Sequence, residues 1–133
     1  MRRIFKVKNA IRWAKKIGFT DQMLVQAINE IEDGQRVASL VHKLFKKRVA
    51  LPGQGKCGSW RIILAFRLVY DGVARWLFLD GYAKSDMSNI SPKKLEELGQ
   101  LAQIYLNLSD IELDLLIKMG KLVEVSLEKE NDK

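Results

Sequence analysis

Between Lys43 and Lys84 the apolar residues recur every second position, and on either side of that stretch they recur every third or fourth. Trp60, Ile62, Leu64, Phe66 and Leu68 alternate with Arg61, Ile63, Ala65 and Arg67, which predicts a strand over 59–70. The first set is expected to face packed helices, the second the more open side. Asp71-Gly72 is a tight-turn signal, so a partner strand over 73–83 should pair antiparallel with it. A strand over 43–50 precedes them. It cannot run on through 51–58, where Pro52 lacks a ladder donor and Gly53, Gly55 and Gly58 admit positive φ.

The flanks read as helix. A short strand is predicted over 3–8, with Lys6 and Lys8 on its wet face, followed by a helix over 10–17 capped by Asn9 and stopped at Gly18. Thr20 is the next expected N-cap, for a helix carrying Leu24, Ala27, Ile28 and Ile31 and ending near Asp33-Gly34. Residues 35–41 read as either a loop or a short strand. After a turn at 88–91, Ser91-Pro92 opens a helix with a stripe of Leu95, Leu98, Ala102 and Tyr105. Ser109-Asp110-Ile111-Glu112 fits a capping box for a shorter helix ending at Gly120, and 122–127 suits a last strand. The pattern implies an α+β class: a small antiparallel-rich sheet with helices packed on one side and further helices at the C-terminus. At 133 residues the expectation is a single domain, 1–133, with 106–133 as a C-terminal extension.

Charge sharpens this picture. The net charge is +7, but 42–84 alone holds nine Lys/Arg against Asp71 and Asp80, while 19–41 and 85–133 are acidic on balance. A localised positive field on the predicted sheet points to a polyanionic partner. Cys57 is the single cysteine, which excludes an internal disulfide, and the chain has no Cys/His cluster of zinc spacing. No apolar run approaches the roughly 18 residues of a membrane span. The start, Met1–Val7, lacks the apolar region of a signal peptide. The expected compartment is the cytoplasm, without membrane contact.

Strand parity sorts the cations. Lys46 and Arg48 share a face, and so do Arg61 and Arg67. Lys56 lies in the glycine-rich loop, and Lys84 follows Tyr82 by two at the end of the third strand. These residues suit a phosphate backbone, held by guanidinium forks and ammonium point charges, with an aromatic ring available to stack on a splayed base. The simplest cleavage uses the ribose 2′-hydroxyl as nucleophile and needs a base, an acid and positive charge, with no metal and no cofactor. A basic run such as Lys46-Lys47-Arg48 is more often a solvated face. Gly53-Gln54-Gly55-Lys56 lacks the spacing and the Ser/Thr of a nucleotide P-loop. His42, the one histidine, and Cys57 carry no pattern that marks them as catalysts.

The stretch Lys46-Lys47-Arg48-Val49-Ala50-Leu51-Pro52-Gly53-Gln54-Gly55-Lys56, then Gly58, Arg61-Ile62-Ile63 and Gly81-Tyr82-Ala83-Lys84, resembles the signature of RelE/HigB-type toxins of bacterial type II toxin–antitoxin systems. Cys57, Ser59 and Trp60 stand where that family usually has serine, glycine and tyrosine or phenylalanine. The resemblance implies a RelE-like α+β fold and a metal-independent endoribonuclease that cuts mRNA, in many members on the ribosome, to inhibit translation. Carried over by position, Lys56, Arg61, Tyr82 and Lys84 would be catalytic, and Lys46, Arg48 and Arg67 would bind RNA. The implied partners are mRNA, the ribosome and a cognate antitoxin of helix-turn-helix type from an adjacent gene, with operator DNA reached only through the antitoxin complex. The alternatives on the same residues are a non-enzymatic toxin of the gyrase-inhibitor type and a plain nucleic-acid-binding module.

Overall fold

The computed structural model describes residues 1–51, 59–69 and 72–126, apart from the side chains of 87–89. Its elements are β1 (Arg2–Lys6), α1 (Lys8–Ile17), α2 (Asp21–Glu32), β2 (Ala38–Ser39), β3 (Phe45–Ala50), β4 (Ser59–Leu68), β5 (Ala74–Ala83), α3 (Pro92–Leu106), α4 (Asp110–Lys118) and β6 (Val123–Glu124). The six strands form one mixed sheet in the order β2-β3-β4-β5-β1-β6, antiparallel except where β1 lies parallel to β5. The α+β class and the antiparallel-rich sheet are as the sequence implies. The third predicted strand pairs antiparallel with the second, and Val69 and Val73 close that hairpin through the Val69 N–H at 2.9 Å. Residues 35–41, left open between loop and strand, contain the two-residue β2 on the sheet edge.

Several helix ends follow from local chemistry. Thr20 Oγ1 accepts from the Met23 N–H at 3.2 Å, and Ser91 Oγ from the Lys94 N–H at 3.0 Å. Ser109 and Glu112 form the reciprocal box, with 3.2 and 2.9 Å bonds. Gly18, at φ 82, closes α1 in the left-handed conformation. Asn9 is not the cap of α1. The sheet holds Val7 extended through its N–H to Phe78 O at 3.2 Å, so the helix starts straight off the strand with Val7 as an N-cap that has no side-chain bond. The wet face expected for Lys6 and Lys8 is kept by Lys8 alone, which is exposed. Lys6 turns toward α2 and bonds Asp21 at 2.5 Å, and Lys8 is already helical.

Register assigns the faces. Trp76, Phe78, Leu64 and Ile62 look toward α1 and α2, where Trp13, Phe19, Trp60 and Phe78 form an aromatic cluster with centroids 5.5–6.0 Å apart. The opposite face carries Ile63, Ala65 and Leu77 and receives α3, while Arg3 reaches α4 from β1. Ile62, Ile63, Leu64 and Ala65 are therefore all buried, because β4 is covered on both sides at its centre. Each of the Ile and Leu side chains contributes roughly 1.5–3 kcal/mol by leaving water. Beyond that point the cover ends: Phe66 and Leu68, expected against helices, are 38 and 62 % exposed.

The β4–β5 ladder carries one irregularity. Ile63 pairs with Asp80, but Leu64 pairs with Phe78, so Leu79 is an extra residue in β5. Such a bulge reverses which side chains face which way beyond it. Before it, the odd-numbered residues Arg75 and Leu77 face α3. After it, Asp80 and Tyr82 do, and Gly81 turns toward α1. Gly81 has to be glycine there, because a Cβ would come 2.3 Å from the Trp13 ring.

Candidate active site

Three of the sequence-selected residues fall in one cross-strand row. Arg48 on β3 is directly opposite Arg61 on β4, which is directly opposite Tyr82 on β5. Lys46 lies two residues along β3 on the same face, opposite Ile63. Lys84 follows in the 3-10 turn Lys84–Asn89 and is exposed. The row is a product of the Leu79 bulge, since unbroken alternation would send Tyr82 to the opposite face.

The other candidates lie elsewhere. Lys56 and Cys57 are outside the described residues. Arg67 is near the far end of β4, opposite Arg75, and both guanidiniums donate to the Leu106 carbonyl at 3.1 Å. Arg67 also bonds Asn107, and Arg75 adds Leu108 O at 2.5 Å and Asp110 at 3.0 Å. The two cations thus hold the carbonyl end of α3, where the helix dipole favours positive charge. Lys47, between Lys46 and Arg48 in sequence, points to the other face and is bound by Glu30 at 2.9 Å and by its neighbour's carbonyl. His42, at φ 61, packs against Gly99 of α3 and is not in the row.

Cations that build the fold are matched to carboxylates: Arg2 to Glu32, Arg3 to Asp110, Asp114 and Glu124, Lys6 to Asp21, and Arg75 to Asp110. Among the described residues no carboxylate pairs with Lys46, Arg48, Arg61 or Lys84. Arg61 is half-buried and bonds the carbonyl of Trp60 at 3.2 Å. Its burial first, and then the like charge of Arg48, lower its pKa. A partly desolvated guanidinium facing a second one is unfavourable in isolation, and an anion placed between them relieves both costs.

Tyr82 is also half-buried. Its hydroxyl donates to Asp80 Oδ2 at 3.1 Å, and Asp80 Oδ1 accepts the Gly81 N–H at 2.8 Å. Lys94 of α3 approaches the same carboxylate at 3.9 Å. Burial, and then the charge and hydrogen bond of Asp80, push the Tyr82 phenol well above its usual range, so it is neutral at physiological pH. Asp80 and Lys94 did not emerge from the sequence as site residues. The i, i+2 spacing of Asp80 and Tyr82 was the available signal for the first, and nothing local marks the second.

An open depression of about 480 Å³ lies beside Tyr82, lined by Asp86, Ile90, Ser91 and Lys94. A wider groove of about 870 Å³ runs between α2 and β3, with Phe19, Met23 and Ala27 on one wall and Arg48 at its border. The row of Arg48, Arg61 and Tyr82 offers positive charge beside a neutral hydroxyl, a combination suited to a phosphodiester. Among the described residues no cluster of His, Cys, Asp and Glu has the arrangement of a metal site, and no helix is long and apolar enough to cross a membrane.

A search of individually curated proteins gives no match to this chain. The family model described as the RelE toxin of the RelE / RelB toxin–antitoxin system matches residues 2–125, from the start of β1 to just past β6. That span contains the whole sheet and all four α-helices, so the chain belongs to the RelE toxin family, and a cognate antitoxin is its implied partner.

Proposed function

We propose that this toxin is an endoribonuclease that cuts mRNA, associated with the ribosome, and so inhibits translation. The single observation that supports this most is the row Arg48–Arg61–Tyr82, whose two guanidiniums have no carboxylate partner among the described residues. Lys46 and Arg48 hold backbone phosphates on either side of the scissile bond. Arg61, less solvated, stabilises the extra negative charge of the phosphorane as the 2′-oxygen attacks. Tyr82 stands where the reacting ribose would lie, and Lys84 adds charge at its edge. Lys56 belongs to the same catalytic set by its place in the sequence signature. The reaction so drawn uses the substrate's own 2′-hydroxyl and calls for no metal. Arg67 is left out of the set, since the end of α3 occupies its guanidinium.

In the cell, the reading places the toxin in the cytoplasm, with a helix-turn-helix antitoxin encoded beside it. Operator DNA is reached through the toxin–antitoxin complex. The test is cleavage of an mRNA, free and ribosome-bound, by purified toxin in EDTA, mapped by primer extension. Cuts that Arg61→Ala abolishes support the reading. Intact mRNA together with inhibited DNA supercoiling would favour the gyrase-inhibitor class instead. Intact mRNA with salt-sensitive RNA binding and no growth arrest would favour a plain binding module.

A further inference from the structure

The cations of the row account for binding and charge stabilisation but leave the proton of the attacking hydroxyl without a destination. The contacts of Asp80 supply one. Its carboxylate is fixed at both oxygens, by Gly81 N–H at 2.8 Å and by the Tyr82 hydroxyl at 3.1 Å. Because Tyr82 donates inward to Asp80, its oxygen turns lone pairs outward, to the side where Asp86, Ile90, Ser91 and Lys94 line the depression. A phenol in that state accepts a hydrogen bond from a ribose hydroxyl and cannot donate one to it.

We propose that Asp80 is a positioning residue that makes Tyr82 the proton acceptor for the 2′-hydroxyl, through a relay that ends on the Asp80 carboxylate. The proposal rests on the endoribonuclease reading. In the step, the 2′-hydroxyl proton passes to Tyr82 Oη as Tyr82's own proton passes to Asp80. The 2′-oxygen bonds to phosphorus, and the bond from phosphorus to the 5′-oxygen breaks. The leaving 5′-oxygen carries away the electron pair and takes a proton from water. Asp80 then returns its proton to water, and the product is a 2′,3′-cyclic phosphate. The raised pKa of Tyr82 fits this role, because a phenol that stays neutral has to pass its proton on as it receives one. The charged and titratable groups around the pair are Arg61 on β4, Lys94 on α3, and Lys84 and Asp86 in the turn after β5.

The experiment compares Asp80→Asn, Tyr82→Phe and the double variant with the wild-type toxin on one ribosome-bound mRNA. Asp80→Asn keeps an oxygen for the Gly81 N–H but accepts no proton. The expected result is a kcat about 10²-fold lower for each single variant, within the range of general base catalysis, with KM changed by less than about threefold. The double variant is expected to be no slower than the worse single one, because the two groups act as a unit. Multiplying losses in the double variant, or a loss in Asp80→Asn that appears in KM alone, would overturn the proposal. If Asp80→Asn does not fold, the pH dependence of kcat decides. The acid limb of the wild type should vanish in Tyr82→Phe, and its persistence overturns the relay. A second readout is independent of activity. The Tyr82 phenol, followed by ultraviolet absorbance as the difference from Tyr82→Phe, should ionise at lower pH in Asp80→Asn. If it moves while the wild type leaves RNA whole, the endoribonuclease reading and the relay fall but the Asp80–Tyr82 coupling stands. If it does not move, the coupling itself is overturned.

Discussion

Arg61 stands directly opposite Tyr82 across the β4–β5 ladder, with Arg48 directly opposite on its other side. Directly opposed side chains on one sheet face are about 5 Å apart at Cβ. On the proposed reading, the scissile phosphate meets Arg61 and the adjoining ribose the phenol, with the neighbouring phosphate on Arg48. Arg61→Ala is expected to lower kcat for RNA cleavage by about 10²-fold, the scale seen when one transition-state donor is removed. Its thermal unfolding should stay close to wild type, since the change also ends the repulsion from Arg48. Steady-state kinetics alongside thermal melts checks both.

Arg48 is exposed and Arg61 is not, so their losses should differ in kind. Arg48→Ala is expected to raise KM more than it lowers kcat. The slope of log binding constant against log salt should fall by about 0.7, the contribution of one phosphate contact on a single strand. Filter binding across a salt series measures it.

Arg67→Ala tests the other end of the same strand. With its guanidinium on Leu106 O and Asn107, its removal should lower unfolding stability by roughly 1 kcal/mol and leave RNA affinity unchanged. Urea unfolding and the same binding assay distinguish this from an RNA contact. A loss of affinity without a loss of stability would restore Arg67 to the site.

Glu30 gives a pH signature. Its hydrogen bond to Lys47, then that to Gln26, lowers its pKa below the usual carboxylate range. A depressed carboxylate stabilises the fold above its unfolded pKa, and that stabilisation is lost as pH falls through the folded value. Glu30→Gln should therefore be less stable than wild type near neutrality, and the gap should close in acid. Since Glu30 is partly exposed, the gap at neutrality is expected to be of the order of 1 kcal/mol at most. Unfolding curves at a series of pH values give the answer.

Much of the scaffold is legible in the sequence. The caps at Thr20, Ser91 and Ser109, the stop at Gly18 and the β4–β5 hairpin are local chemistry, decided within a few residues. What stayed hidden is non-local. The parallel pairing of β1 with β5 leaves no mark in a five-residue strand. The destination of Arg67 depends on where α3 ends, forty residues later. The bulge was illegible because Leu77, Phe78 and Leu79 are all buried, one face against α1 and α2 and the other against α3. A run that is apolar on both faces cannot reveal a change of parity. Parity puts Lys46 with Arg48 and Arg61 with Arg67, but the register between β3 and β4 is what sets Arg48 opposite Arg61, and Tyr82 joins them through a feature its own strand conceals.

That feature also separates two kinds of genetic change in β5. A substitution at Tyr82 or Asp80 alters one group and leaves its neighbours aimed as before. Deleting Leu79 would straighten the ladder and leave Asp80 opposite Ile63 and Tyr82 opposite Arg61, whereas inserting one residue before Asp80 would rotate the whole end of the strand and bring Asp80 into the place of Gly81 against Trp13, where no Cβ fits. The extra residue and the glycine are thus a matched pair, one steering the chain and the other clearing its path. Insertions, far more than point changes or the loss of Leu79, are the route by which this surface would lose its chemistry at a stroke.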